Sequence, residues 1–275
     1  MKKFNFVFVV LCYKNTLDLT SFLESIKTIT GTYRVIVVNS YFDEVTKNEF
    51  EKIALVNNCD FLNVPNKGYG AGNNRGIQFA RANYEFDFLV ISNPDINFKD
   101  YNISNLTGLE NYIIAPQINN LNGKHQSPYK PKLAKLVNML QYYAYKYKGL
   151  RFLNFFALLI NRLLREYIIL VGKLFKGKIR IYAAHGSNVI IGNLALNKLG
   201  TLYDEKMFLF SEEEHLGNLC KLNKVKTYYY PKLKVLHKEN GSVSSISVKE
   251  INKITIESYI YCYENWHHRR KKWKE

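Results

Sequence analysis

The chain has 275 residues, enough for one large domain or two small ones around a sizeable core. A hydrophobic fraction of 47% and a charged fraction of 23% exclude a disordered chain. Lys+Arg 39 against Asp+Glu 23 leaves a net charge of +16, which calls for an anionic partner: nucleic acid, a membrane surface or an anionic substrate.

Phe4 to Leu11 is a continuous β-rich apolar run, as in a strand covered on both faces. Met1-Lys2-Lys3 gives it a passing likeness to a secretion signal. No small-residue cleavage site follows, so a buried first strand is the better reading. Thr16 to Lys27 reads as a helix, Arg34 to Val38 as a second buried strand ending at Asn39-Ser40, and Val45 to Val56 as a helix. Cys59 to Val64 is a short strand, and the loop Pro65 to Gly70 leads into a helix over Gly72 to Ala82. Phe86 to Ile91 is a strand that ends at Ser92-Asn93-Pro94-Asp95. This alternation implies βαβ units and an α/β fold with a mostly parallel, Rossmann-like sheet. Ligands of such sheets bind beyond the carboxyl ends of the strands, where this polar punctuation falls.

Pro128 to Gly177 breaks the pattern. Lys124 to Arg180 holds nine Lys and four Arg against the single acid Glu166, a net +12 and three quarters of the total charge. Lys132 to Tyr147 reads as a mostly apolar helix. In Arg151 to Lys176 the polar residues share one arc and a wide apolar face fills the rest. A greasy face edged by Arg and Lys describes a helix lying in a membrane interface. A core helix under the sheet, or one packed against a second subunit, is the other reading. No stretch of about 18 uncharged apolar residues exists to cross a bilayer.

Strand-like segments resume at Ile179 to Ala184 and Asn188 to Ile191, followed by a short helix over Ala195 to Leu199. Ser211 opens a helix, with Glu214 three residues on in a capping-box pattern. Tyr228 to Tyr230 and Val235-Leu236 are strand-like. The reading is one domain over 1–245 with a helical insertion at about 128–178, then a C-terminal helix and a basic tail, Arg269 to Lys274, within 246–275. Cys12, Cys59, Cys220 and Cys262 are scattered without a CxxC spacing, which fits a reducing compartment.

Four constellations carry chemistry. Asn66 to Gly76 (NKGYGAGNNRG) is a glycine-rich string between a strand and a helix, able to hold phosphate or sugar on backbone N–H groups. Asn93-Pro94-Asp95 offers a strand-end carboxylate suited to Mg²⁺ or Mn²⁺ bridging a diphosphate, though as a lone tripeptide it is most often a turn starter. Glu212-Glu213-Glu214 favours a helix start through the macrodipole alone, yet beside a sugar site such a carboxylate can deprotonate a hydroxyl. His237-Lys238-Glu239-Asn240-Gly241-Ser242 follows a strand, and its His could meet Asp95 at a metal.

In this order the motifs resemble a family 2 glycosyltransferase with the GT-A fold, of the rhamnosyltransferase-like branch that builds bacterial surface polysaccharides. The resemblance covers roughly residues 5–118 and 180–242, and NKGYGAGNNRGI is its most specific string. It implies an inverting, metal-dependent transfer (Mn²⁺ or Mg²⁺) from dTDP-rhamnose or a UDP-hexose to a hydroxyl of a glycan or lipid-diphosphate-linked acceptor. It also implies a place on the inner face of the plasma membrane. By position, Tyr13 and Asn39 would line the base and ribose pocket. Gly68, Gly72, Asn73, Arg75 and Asn93 would line the donor sugar and diphosphate. Asp95 and His237 would hold the metal, and Glu213, with Glu212 beside it, would be the base.

Four positions depart from the family pattern: Asn39 and Glu213 where Asp is usual, His215 for a second Asp, and Leu219 for Arg. Those at His215 and Leu219 motivate a rival, a catalytically inactive GT-A subunit that binds nucleotide beside an active partner. No nucleic-acid motif is present, so nucleic acid is not expected as partner. A homo-oligomer stays open.

Overall fold

In the computed structural model, residues 1–131, 134–239 and 247–272 are described. Strands β1 (Lys2–Cys12), β2 (Tyr33–Ser40), β3 (Asp60–Val64) and β4 (Tyr84–Ser92) pair in parallel in the order β3-β2-β1-β4. They are connected through helices α1 (Thr16–Ile26), α2 (Glu44–Val56) and α3 (Tyr69–Asn83). This half is the expected α/β unit.

Past β4 the sheet becomes mixed. β8 (Asn188–Gly192) runs antiparallel to β4 and to β6 (Tyr112–Asn120), and β9 (Lys226–His237) is parallel to β6. β5 (Ile96–Asp100) and β7 (Ile179–Ile181) pair antiparallel with β9. The pattern along the chain does not announce β5, which is five residues long, or β6, which carries Pro116 and a polar end. β9 reads as two strands because its register with β6 jumps from Tyr230 to Lys234. Pro231 falls in that jump and has no N–H to give to a ladder.

Successive β1 residues feed two cores. Phe6, Phe8 and Val10 pack with Phe22, Phe50 and Phe98 on one face. Val7 and Val9 pack with Ile77, Ala80 and Leu196 on the other. Much of the aromatic content is interior, with Phe98 edge-on to Phe8 and Phe22 at 5.5 and 5.3 Å between ring centroids.

Helices α4 (Ala134–Lys146) and α5 (Phe152–Phe175) form the insertion, and α6 (Asn193–Leu199) follows β8. The expected helix start at Lys132 lies outside the described residues. α5 touches the body through Ala157, Ile168, Ile169 and Gly172. Polar groups on that side are tied down: Asn161 donates to the Tyr129 carbonyl at 3.2 Å and Arg165 to the His125 carbonyl at 2.8 Å. Its apolar face is left uncovered, with Phe155, Leu163, Leu174 and Phe175 between 62% and 76% exposed. Among the described residues no helix is long and apolar enough to cross a membrane.

Helix α7 (Glu212–Leu222) is packed against α8 (Val248–Lys272), which buries Tyr259, Cys262 and Trp266. The expected capping box is not formed. Ser211 is left-handed at φ 70° with no side-chain cap, and Glu214 turns instead to Lys130. A buried ammonium needs a counter-charge more than a helix end needs one further acceptor. The basic side chains from Arg269 to Lys274 lie outside the described set, as do Asn240, Gly241 and Ser242.

Candidate active site at the strand ends

The carboxyl ends of β1, β2 and β4 lie side by side, because β1 pairs with both neighbours up to Cys12–Asn39 and Val10–Ser92. Tyr13 follows β1, with its ring 5.8 Å from Phe42 and the Lys14 ammonium over both rings. Asn39 is buried and donates to the Asn63 side chain on β3 at 2.8 Å. Lys14 and Phe42 were not legible as site residues, since a lone aromatic or lysine in a loop carries no signal.

After β4 the chain turns through Asn93 and Asp95, and Asn93 is anchored by its N–H to the Ser187 carbonyl at 2.9 Å. The β5–β9 pairing sets Ile96 opposite His237, which carries the imidazole to Asp95. His237 Nε2 is 3.2 Å from Asp95 Oδ2, but the contact is not aligned as a hydrogen bond, and both Asp95 oxygens are buried without a hydrogen-bond partner. On its other side His237 Nδ1 meets Gln126 Oε1 at 2.7 Å, while the Gln126 amide N–H₂ donates to Glu239. That amide orientation places the proton on Nδ1 and turns Nε2 toward Asp95. A carboxylate with unmet acceptors beside an imidazole nitrogen is a donor set that fits a hard divalent cation completed by phosphate oxygens and water. No cluster of three or more His, Cys, Asp or Glu side chains converges among the described residues.

Glu212 and Glu213 lie in the first turn of α7. With Asn93, Tyr69, His185 and Phe210 they line a cavity of about 160 Å³. Glu213 Oε1 accepts the Gly186 N–H at 3.2 Å, and a Cβ on Gly186 would lie 2.9 Å from that oxygen. Glu212 Oε1 is buried without a partner. Burial, then the charges of neighbouring acids, pushes Glu212 up to about 8. Burial, then Glu214, pushes Glu213 up to about 7 against the opposing Gly186 N–H and Lys130. Such values suit a group that takes a proton near neutrality. Glu214 points away, paired with Lys130 at 2.5 Å in a buried network that includes Asn138 and Gln141 of α4. Phe210 and Ser211 enter the helix with φ of 71° and 70°, two left-handed non-glycine residues in succession. α8 holds that turn through Ser258 to the Leu209 carbonyl and Cys262 to the Ser211 carbonyl.

His185 escaped the sequence reading. It lines the cavity 6.0 Å from the His237 ring, with Nδ1 at 2.9 Å from Ser187 Oγ. Burial first, then His237, pushes it down to about 3, so it is neutral near pH 7. The His-Gly-Ser step before β8 was the available signal, because glycine leaves room for the Glu213 carboxylate to reach the backbone N–H there.

The glycine string has a packing task of its own. The helix begins at Tyr69, inside the string, and the Tyr69 N–H donates to the Phe208 carbonyl. Gly68 has φ +102°, and a Cβ there would be 2.2 Å from the Phe208 oxygen. A Cβ on Gly72 would meet Leu11 of β1 at 2.4 Å, and one on Gly76 would meet Val9 at 2.3 Å. These glycines wedge α3 between the sheet and the 203–210 loop, where a side chain would force them apart. Gly72 therefore faces β1 and not the cleft. Arg75 does not reach the cleft either: it pairs with Glu205 at 3.1 Å, while Asn74 bonds Tyr203 and Glu205. Asn73 is buried, with its amide N–H₂ on the Tyr69 carbonyl.

The departures His215 and Leu219 serve packing. His215 Nδ1 accepts the Trp266 indole N–H at 3.2 Å, and Leu219 is in the core.

No protein-family model matches the chain, and no curated protein matches it in sequence. Solved structures do match in shape. The crystal structure of GalNAc-T7 with UDP, GalNAc and Mn²⁺ superposes with a TM-score of 0.59 at 14% identity, over 95% of this chain and 48% of that one. The crystal structure of S. aureus TarS gives 0.52 at 14% identity, over 84% of this chain and 37% of that one. Both neighbours are GT-A glycosyltransferases, and this chain has their fold, spanning about half of their length or less.

Proposed function

We propose that the chain is an inverting glycosyltransferase that moves a sugar from a nucleoside-diphosphate donor to a hydroxyl of a glycan or lipid-linked acceptor. The observation that carries this is one cavity lined by Asn93 of the strand-end turn and by Glu212 and Glu213, two carboxyls whose pKa is pushed up. UDP, GalNAc and Mn²⁺ in the GalNAc-T7 structure support a nucleotide sugar and a divalent metal.

Asp95 and His237 are the residues that would hold Mn²⁺ or Mg²⁺, whose chemistry is to neutralise charge growing on the departing diphosphate. Tyr13 and Phe42 offer a ring face to the base, with Asn39 and Asn63 beneath. Glu213 is oriented by the Gly186 N–H and accepts the proton of the acceptor hydroxyl as its oxygen attacks C1. The C1–O bond to the diphosphate breaks with its electron pair on the leaving group, and one displacement inverts the anomeric centre. Neutral His185 and half-buried Tyr69 line this cavity.

The uncovered face of α5, edged by basic residues, supports seating on an anionic membrane from the cytoplasmic side, where lipid-diphosphate acceptors would be met. In this reading the chain builds a bacterial surface polysaccharide as a rhamnosyl- or hexosyltransferase.

The test is a thermal-shift panel with Mn²⁺ against dTDP-rhamnose, UDP-glucose, UDP-galactose, UDP-N-acetylglucosamine and GDP-mannose. One nucleotide sugar should raise the melting temperature in a metal-dependent way. No shift with any of them overturns the donor assignment.

A further inference from the structure

A second cavity, of about 690 Å³, opens on the flank of α5 between its last turn and the β5–β9 edge of the sheet. Its walls carry Lys99, Lys173, Lys176, Lys232 and Lys234 against a single acid, Asp100. Only Lys234 is neutralised, by Asp100 at 2.9 Å; among the described residues the other four have no ion-pair partner. The cavity holds none of the catalytic candidates and is far too polar to be a gap in the core. Four unpaired ammonium groups around a ligand-sized cleft demand an anion.

The position of the cleft says which anion. Lys173 and Lys176 line it, and the two residues between them, Leu174 and Phe175, are 69% and 76% exposed. They continue the uncovered stripe of Phe155, Leu163 and Leu170 along the helix. Apolar side chains at acyl depth, with lysines at phosphate depth beside them, describe an interface with an anionic bilayer. We propose that this cleft is a headgroup site that takes the phosphate of an anionic phospholipid while the α5 stripe rests in the acyl region. It deepens the membrane-seating reading of α5 and rests on it. It differs from that reading in assigning lipid-charge selectivity to one cleft and not to the overall basicity.

The test is flotation of the full chain with vesicles of phosphatidylcholine alone and of phosphatidylcholine mixed with phosphatidylglycerol. Wild type should bind the mixed vesicles far better. K99Q/K176Q/K232Q should lose about tenfold or more of that affinity while keeping its weak binding to phosphatidylcholine. K221Q/K224Q/K226Q removes equal charge from another basic cavity and should keep the preference. F155S/L163S/L174S should lose binding to both vesicles. Circular dichroism confirms that each variant is folded. If the cleft variant keeps its anionic preference, or the control loses as much, the headgroup site is overturned while α5 seating stands. If wild type floats with neither vesicle, the seating reading falls, and the lipid occupant with it.

Discussion

Helices α5 and α7 break the ordinary rule of burial in opposite directions. α7 places Glu212 and Glu214 in the interior at 5% and 3% exposure. α5 leaves large apolar side chains in solvent and turns Asn161 and Arg165 inward. Buried acids cost stability unless they are paired, and exposed apolar stripes cost solubility. Glu214 is offset by Lys130, and in the proposed reading Glu212 and Glu213 of α7 serve a reacting hydroxyl while the α5 stripe meets a lipid layer. The two are linked by residues 125–130. Arg165 holds His125, Gln126 orients His237, and Lys130 neutralises Glu214.

The contrast can be broken most severely at α7. Glu213→Gln should lower turnover by about 10²–10⁴-fold and leave the donor-induced thermal shift intact; near-wild-type turnover would rule out Glu213 as base. Lys130→Met strands the Glu214 charge and should cost about 3–5 kcal/mol in urea unfolding. Lys130→Met/Glu214→Gln should recover most of it, and a double variant as unstable as the single one would show that packing, not charge, holds this junction.

The pH dependence sharpens the comparison. Glu212 and Glu213 titrate at about 8 and about 7 when folded, against an ordinary value near 4.5. Between these limits the native state holds protons that the unfolded chain has released, so stability falls as pH rises from about 4.5 to about 8. Turnover should rise through about pH 7, because the base must be ionised. Glu212→Gln should flatten the stability slope measured by urea unfolding across that range, and an unchanged slope would place the titration elsewhere.

At α5 the effect on the fold should be smallest. Leu163→Ser and Phe155→Ser should change stability by no more than about 0.5 kcal/mol, while sedimentation with anionic vesicles falls. A large loss of stability would mean that the stripe is covered by protein, for example in a homo-oligomer.

The hydrophobic alternation and strand-end punctuation made the parallel half of the fold legible, with Asn93 and Asp95 among its candidates, and Glu212 and Glu213 were legible as acids at a helix start. The wide apolar face of α5 was legible for the same reason: periodicity is a local property of the chain. Which residues share a site is not local. Antiparallel pairing of β5 with β9 brought His237 to Asp95, and the His185–Gly186 turn came to Glu213 through packing of α7 against the strand end before β8. The glycine string shows the limit from the other side, since a sequence can say that a side chain is excluded but not by what. Phosphate, Leu11 and the Phe208 carbonyl all demand glycine, and only the packed structure shows that β1 and the 203–210 loop make the demand at Gly72 and Gly68. The sequence by itself determined the strands, the helices and the residue types able to do chemistry. The tertiary structure decided which of them meet, because contacts between residues far apart in the chain are set by sheet order and packing.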